Sequence, residues 1–421
     1  MLFNQIIMTT LYFYANIGKE NISDKLVVSN MADYESIAKT IEEENDNLTG
    51  LAREIHSNPE TGRNEFIAAD LITNYLEKKG FKIFRGVGGL KTSFMASKGE
   101  EGYHLGFCAE YDALPEIGHG CGHNLIAIAS VAAGVALSSA IDGQPGRVSI
   151  IGTPDEEEHG GKVDLVRLGV FDDIDAAMMF HPDCATRIHI DSLACRDFKF
   201  IFHGKNAHAS SEPWEGRNAL DAVIQTFNNI NALRQHLKDN TRIHGIITEG
   251  GVAVNVIPDR TAADFLIRAG NSEYLKEVVE KVINCARSAA IATGTDLEVN
   301  ESDYPYEAML SNKALGDTFA ASLEEAGYSL ESKHDVGIGS IDMGNVSGVT
   351  PSIYPVLALT NEWIPRHTFE FASLCNTDQA YEVMLTAGKA MAITGQKVIN
   401  DRELQKKIKE GFLNQLDQTV E

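Results

Sequence analysis

The chain is short of positive charge. Its 36 lysines and arginines stand against 60 aspartates and glutamates, so the net charge is 36 − 60 = −24. That balance argues against nucleic acid or an anionic membrane as partner and fits a solvated acidic surface. Paired cysteines are missing too. The six cysteines, at 108, 121, 184, 195, 285 and 375, follow no repeated spacing. A disulfide framework is therefore excluded, and a reducing compartment such as the cytoplasm is expected. No apolar run reaches the length of a membrane span. The apolar start, Met1 to Tyr14, has no basic leader and no small-residue cleavage site, so it does not read as a signal peptide. No internal repeat is visible.

What is present is enough for two domains. A chain of 421 residues, 43% of them hydrophobic, exceeds what one simple core needs. Residues 1–30 read as an extension, polar from Asn21 to Asn30 and expected to be disordered, with the functional start near Met31. The remainder is organised around one stretch, CAEYDALPEIGHGCGHNLIAIASVAAGVAL, residues 108–137. Residues 104–109 predict a buried strand and 125–137 a buried helix. Between them lie Glu110, Asp112, Glu116, His119, Cys121 and His123.

A thiolate and an imidazole two residues apart suit a divalent transition metal. Yet a buried Cys is usually a small hydrophobe, and a neighbouring His is often only a hydrogen-bonded core residue. The pair gains meaning from further ligand-type groups at equivalent places. A strand over 147–153 runs into Asp155-Glu156-Glu157-Glu158-His159, and a strand over 176–180 ends at His181. His367 follows a last strand-like stretch, 349–359. Strands alternating with helices (64–80, 125–137, 162–168) predict a doubly wound, mostly parallel α/β sheet. Ligands of such sheets bind beyond the carboxyl ends of the strands. Cys121, His123, Glu157, His181 and His367 together are what two metal ions a few ångströms apart require.

From about residue 193 the pattern changes. Strand 198–203, helix 217–238, strands 242–249 and 261–268, helix 272–292 and strand 296–301 give a β-α-β-β-α-β order. The expected division is a catalytic domain over 31–191 and 304–421, with an inserted domain over 192–303. Helices are expected at 34–56, 311–327 and 376–395, with a peripheral helical tail from about residue 400.

These motifs, in this order, resemble the M20 family of metallopeptidases and amidohydrolases. The matching stretches are AEYDALPEIGHGCGHN (109–124), GTPDEEEHGGK (152–162), MFHP (179–182), GKNAHAS (204–210), NVIPD (255–259), SIDMGNVS (340–347) and PRHTFEF (365–371). They cover nearly all of residues 34–400. The similarity is greatest to the branch of aminoacylase-like, indole-acetyl-amino-acid hydrolase-like, p-aminobenzoyl-glutamate hydrolase-like and dipeptidase-like enzymes.

The resemblance implies a dinuclear centre of zinc or manganese, with cobalt or nickel also compatible with these ligands. Cys121 would bridge the two ions, His123 and His181 would complete one, and Glu157 and His367 the other. A metal-bound hydroxide would attack the amide of a small N-acyl amino acid or dipeptide, with Glu156 as general base. Asp112 would orient a ligand histidine. His208 would reach the partner subunit's site and stabilise the oxyanion, which implies a homodimer built through the inserted domain. Asn255 and Arg268 resemble substrate-binding residues, and Ser340 would form part of the substrate wall.

Three consecutive glutamates leave the register open by one. Glu156 and Glu157 align with Pro154 and Gly160-Gly161-Lys162 without a gap; a shifted register would make Glu157 the base and Glu158 the ligand. Two other readings compete. Cys121 could be a nucleophile with His123 as base, or the chain could be a metal-stabilised binding protein without turnover.

Overall fold

A computed structural model describes residues 22–329, 334, 337 and 339–420. The expected extension lies outside the described residues as far as residue 21. From Ile22 the backbone is helical, and helix α1 runs Ile22–Ser57, starting earlier than the sequence pattern predicted. Its buried Ile37, Ile41, Leu48, Ala52 and Ile55 recur at helical spacing and join the main core.

Helix α2 (Phe66–Lys78) is followed by strands β1 (Lys82–Arg85), β2 (Phe94–Lys98) and β3 (His104–Ala109). Every residue of β3 is buried, as suits the middle of a sheet covered on both faces. Helix α3 spans His123–Ala140. By length and composition alone it is the one described helix that could cross a membrane. However, 89% of it is buried inside the protein, so it is the central core helix.

Strand β4 (Arg147–Gly152), helix α4 (Gly161–Arg167) and strands β5 (Ala176–Met178) and β6 (His181–Asp183) come next. Then follow the inserted elements: β7 (Ala194–His203), α5 (Ala219–Leu233), β8 (Arg242–Glu249), β9 (Arg260–Ala269), α6 (Ser272–Thr293) and β10 (Asp296–Glu301). The chain ends with α7 (Lys313–Glu325), α8 (Met343–Ser347), β11 (Ser352–Ile353), β12 (Val356–Ala358), α9 (Phe369–Leu374), α10 (Asp378–Asn400) and α11 (Arg402–Val420).

The large sheet has the order β1-β2-β4-β3-β5-β11. Strand β3 runs parallel to β4 and β5, and β5 runs parallel to β11; β2 is antiparallel to β1 and β4. This is the mostly parallel α/β architecture the sequence predicts. One detail differs. The apolar stretch 176–180 does not end simply at His181. The chain leaves the sheet after Met178, and His181–Asp183 pairs with β12 in a separate two-stranded ribbon.

The inserted elements form a four-stranded sheet of order β10-β7-β9-β8. Phe198, Phe200 and Phe202 alternate along β7 and face a second core with Phe265, Ile267, Val278 and Val282. Strand β8 is an edge strand. Around it Ile246, Val252 and Val254 are exposed, and so is Trp214.

Candidate active site

The turn between β3 and α3 puts Cys121 and His123 at the amino end of the core helix. Gly122 makes the turn possible. Its φ is +79°, and a Cβ there would stand 2.5 Å from Pro182 Cγ. His123 is buried, and its Nδ1 lies 3.0 Å from both Oδ1 and the carbonyl oxygen of Asp112. Both neighbours only accept, so in the neutral ring Nδ1 carries the proton and Nε2 keeps a lone pair. The other carboxylate oxygen of Asp112 accepts the Glu157 backbone N–H at 3.0 Å. One buried aspartate thus fixes a histidine ring on one loop and the backbone of the glutamate loop.

His181 is set by the same logic. Its Nδ1 donates to the Pro182 carbonyl at 2.8 Å, and its Nε2 lies 3.4 Å from Cys121 Sγ. His367 sits in the left-handed region at φ +61°, held by its N–H to Gly120 O at 2.9 Å. Its Nε2 is 3.5 Å from Glu157 Oε1. The neighbouring Arg366 is anchored to Asp183 at 3.3 Å.

The result is two overlapping ligand groups, Cys121–His123–His181 and Cys121–Glu157–His367, each with donor atoms within 4.8 Å of one another. Cys121 belongs to both. Glu156 joins His123 and Glu157 in a third group. Glu158 turns away toward Asp155 and His159, half exposed, so Glu156 and Glu157 face the cluster.

Several polar atoms facing this centre make no hydrogen bond among the described residues, namely the buried His123 Nε2, Glu157 Oε1 and Glu110 Oε2. Orphaned buried acceptors are costly unless something binds them. A soft thiolate, three imidazoles and a carboxylate form a donor set that fits a pair of divalent transition ions.

The electrostatics agree. Burial, then nearby Arg366, pull His181 well below its usual range, leaving the neutral ring a metal needs. His123 is raised because Asp112 outweighs the desolvation of the buried ring. Burial pushes the Cys121 thiol up to about 12, with Glu157 adding to it. That is the reverse of an activated nucleophile, so the cysteine-nucleophile reading loses ground; bound cations would instead draw the thiol to thiolate. Burial, and then Glu157, Asp342 and Glu110, raise Glu156 well above the usual carboxylate range.

Several supporting residues went unassigned in the sequence. Lys162 is fully buried. Its Nζ bonds both Glu110 and Asp342, and its backbone N–H reaches Asp342 Oδ2 at 3.0 Å. Burial lowers the Lys162 pKa, but Asp342 and Glu110 outweigh it. Burial also lifts Asp342 to about 6. This ion triad lies directly behind the glutamate loop. Arg63 braces the same loop from outside, bonding Asp155 at 2.7 Å, Tyr304 at 2.9 Å and Asp164 at 3.1 Å. The Tyr306 hydroxyl donates to the Glu156 carbonyl at 2.8 Å. Gly160, with φ +70°, leaves room for that ring, since a Cβ there would meet Tyr306 Cε1 at 2.4 Å. The only sequence signal for these residues was motif membership: Asp342 and Lys162 lie inside matching stretches.

A cavity of about 260 Å³ opens onto the centre. Cys121, Glu156, Glu157, His181 and His367 line one side, and Arg268 and Ser340 another. Arg268 Nη1 donates to Ser340 Oγ at 3.1 Å. Neither His208 nor Asn255 lines this cavity. They sit together on the inserted domain, where Ala209 N–H bonds Asn255 O at 3.0 Å and His208 Nδ1 accepts from Ser210 and Ser211. A larger hollow of about 570 Å³ lies on the open face of the inserted sheet.

Asp112→Asn is expected to weaken metal binding about 10- to 100-fold, because the histidine loses its oriented proton acceptor. Metal titration of the stripped protein measures this; wild-type affinity in the variant would mean that Asp112 does not tune the ligand.

A fold of this kind, with such a centre at the strand ends, defines a metal-dependent amide hydrolase. Residues 196–293 match the peptidase dimerisation domain of the M20 family. Over 396 residues the chain is 35% identical to the Xaa-Arg dipeptidase of Homo sapiens, covering 89% of this chain and 91% of that protein. It is 34% identical to a p-aminobenzoyl-glutamate hydrolase subunit of Escherichia coli, covering 70% of this chain and 65% of that one. A dinuclear metal binding peptidase of the M20 family from Bacillus subtilis superposes with a TM-score of 0.67 at 19% identity, covering 85% of this chain and 99% of that one. The chain belongs to the M20 family of peptidases and amidohydrolases.

Proposed function

We propose that the chain hydrolyses the amide bond of dipeptides or small N-acyl amino acids that carry a free carboxylate on the leaving residue. The observation that carries this is Cys121 standing in two ligand groups whose inward atoms, His123 Nε2 and Glu157 Oε1, are buried without a hydrogen bond among the described residues. Cys121, His123 and His181 would hold one divalent ion, and Cys121, Glu157 and His367 the other. When bound, such ions polarise an amide carbonyl and lower the pKa of water.

The protein's own groups do the rest. Glu156, beside a ligand and open to the cavity, takes the proton of the attacking water and returns it to the leaving nitrogen. Burial and the neighbouring carboxylates raise its pKa, an effect that bound cations would offset. Arg268 holds the substrate carboxylate with its planar fork. The human and Escherichia coli relatives act, by name, on Xaa-Arg dipeptides and on p-aminobenzoyl-glutamate, and both kinds of substrate end in a free amino acid. All six cysteines are free, which supports a reducing compartment such as the cytoplasm.

The edge strand β8, the exposed apolar residues beside it and the dimerisation-domain match support a homodimer formed through the inserted domain. His208 and Asn255 would then serve the neighbouring subunit's cavity.

The test is a panel of N-acyl amino acids and dipeptides, assayed with metal content measured on the same sample. Chelation is expected to abolish hydrolysis, and zinc or manganese to restore it. Full activity in metal-free protein would overturn the proposal.

A further inference from the structure

Helix α1 ends just before a proline. The helical partner of the Ile55 carbonyl would be the N–H four residues on, but that residue is Pro59, which has none. Ile55 O instead accepts the Asn58 N–H at 3.1 Å and meets the ring of His119, whose Nε2 lies 3.2 Å away. A carbonyl only accepts, so Nε2 of His119 carries the proton. His56, on α1, stands 5.9 Å from His119 between ring centres, and its own Nε2 donates to Ala372 O at 2.8 Å.

His119 opens the run His119-Gly-Cys-Gly-His-Asn124. Glycines at 118, 120 and 122 leave this turn few side chains with which to hold itself. Those of Cys121 and His123 belong to the ligand groups. The other two, His119 and Asn124, are buried and reach α1 instead. Asn124 Nδ2 donates to Cys375 O at 3.1 Å and approaches Ala52 O at 3.4 Å. The side chains that bracket the two ligands thus close on carbonyls one turn apart on the same helix. His119 O also accepts the Gly122 N–H at 3.1 Å, which passes the anchorage to the residue between the ligands.

Neither His119 nor Asn124 lines the catalytic cavity, and neither stands in a ligand group among the described residues. The tautomers differ accordingly. His123 and His181 carry the proton on Nδ1 and turn Nε2 to the centre, whereas His119 carries it on Nε2 and gives it to α1.

We infer that His119 and Asn124 are positioning residues of the metal centre, which fix the turn carrying Cys121 and His123 by gripping the last turns of α1. The inference rests on the metal-dependent reading above and adds to it the element that sets the ligand geometry. Helix α1 supplies nothing to the sheet or to the cavity wall, yet its end holds both ligand groups. Through His56 it also holds α9, the helix that opens two residues beyond His367.

Side chains that only filled space would make a different prediction, because volume would then matter and the place of the N–H would not. A glutamine amide can present its N–H where His Nε2 does, while an asparagine amide stops near the Nδ1 position. The experiment uses the full chain stripped of metal, titrated with zinc against a competing chelator, and loaded with cobalt to read the thiolate-to-cobalt absorption. His119→Asn and Asn124→Ala are each expected to weaken zinc binding by about tenfold to a hundredfold, the scale for losing a partner behind a ligand, and to alter the cobalt spectrum. His119→Gln is expected to stay within a few-fold of wild type. Urea unfolding of the same metal-free samples separates the two roles. A lowered midpoint with wild-type zinc affinity in the folded protein would mean packing alone and overturn the inference, as would equal losses in His119→Gln and His119→Asn. If His119→Asn does not fold, Asn124→Ala tests the other end of the turn, and wild-type affinity there overturns the inference. A wild-type protein that binds no zinc tightly overturns the metal-dependent reading itself, and the inference with it.

Discussion

Replacing Glu156 by glutamine is expected to lower kcat by about 10²- to 10⁴-fold, the usual range for removing a positioned base. Glutamine keeps the shape of the side chain and its contact surface but cannot take a proton. The ligand groups built on Cys121 remain intact, so metal content should match that of the wild type. KM should change little, because the cavity wall formed by Arg268, Ser340 and Tyr354 is untouched. This separates an enzyme from a metal-stabilised binding protein. Turnover within a factor of a few of wild type, with metal still bound, would show that the proton leaves by another route. The corresponding change at Glu157 should behave differently and reduce metal occupancy itself, since its carboxylate approaches both His123 and His367.

His208→Ala is expected to cost about 10²- to 10³-fold in kcat, the scale of one lost oxyanion donor. The sharper experiment mixes two dead proteins. His208 lies on the inserted domain and does not line the cavity of its own chain. In a heterodimer of His208→Ala with Glu156→Gln, one of the two sites regains both groups. A one-to-one mixture at random exchange holds half its dimers in that form, so about a quarter of the sites recover. Heterodimers purified with two tags should approach half. Proven exchange without recovery would mean that each subunit works alone. A protein that is monomeric and fully active at assay concentration would have the same meaning.

The candidate ligands were legible because their residue types are rare together and fall in the segments that follow apolar strands. Cys121, His123, Glu157, His181 and His367 are spread along the chain; the strand-end rule and the family resemblance gathered them as candidates, and the fold brings their donor atoms together. The β-α-β-β-α-β order of the inserted domain was legible for a similar reason. Period-two alternation such as Phe198, Phe200 and Phe202 separates cleanly from helical spacing.

The supporting residues were not legible. Lys162 reads as an ordinary helix-start lysine, and only tertiary packing buries it between Glu110 and Asp342. Arg63 is 92 residues from Asp155 and 241 from Tyr304 in the chain, and no local pattern encodes such a meeting. The break after Met178 was hidden because a buried strand and a buried bend share the same apolar composition. Helix α3 is as apolar as a spanning helix because it is enclosed by protein on all sides.

The passage of the chain between its two domains has a mechanical meaning. It enters the inserted sheet at Cys195 and leaves it at Tyr306, and these two residues exchange backbone hydrogen bonds of 2.8 and 3.2 Å. Two crossings pinned side by side form a strap, so the two strands of the domain junction are held to each other rather than independently. The same Tyr306 grips the carbonyl of Glu156 through its hydroxyl. The junction of the two domains and the loop that carries Glu156 are therefore joined through one tyrosine. On the proposed assignment of Glu156 as base, a displacement of the small domain would be transmitted to the loop that carries it.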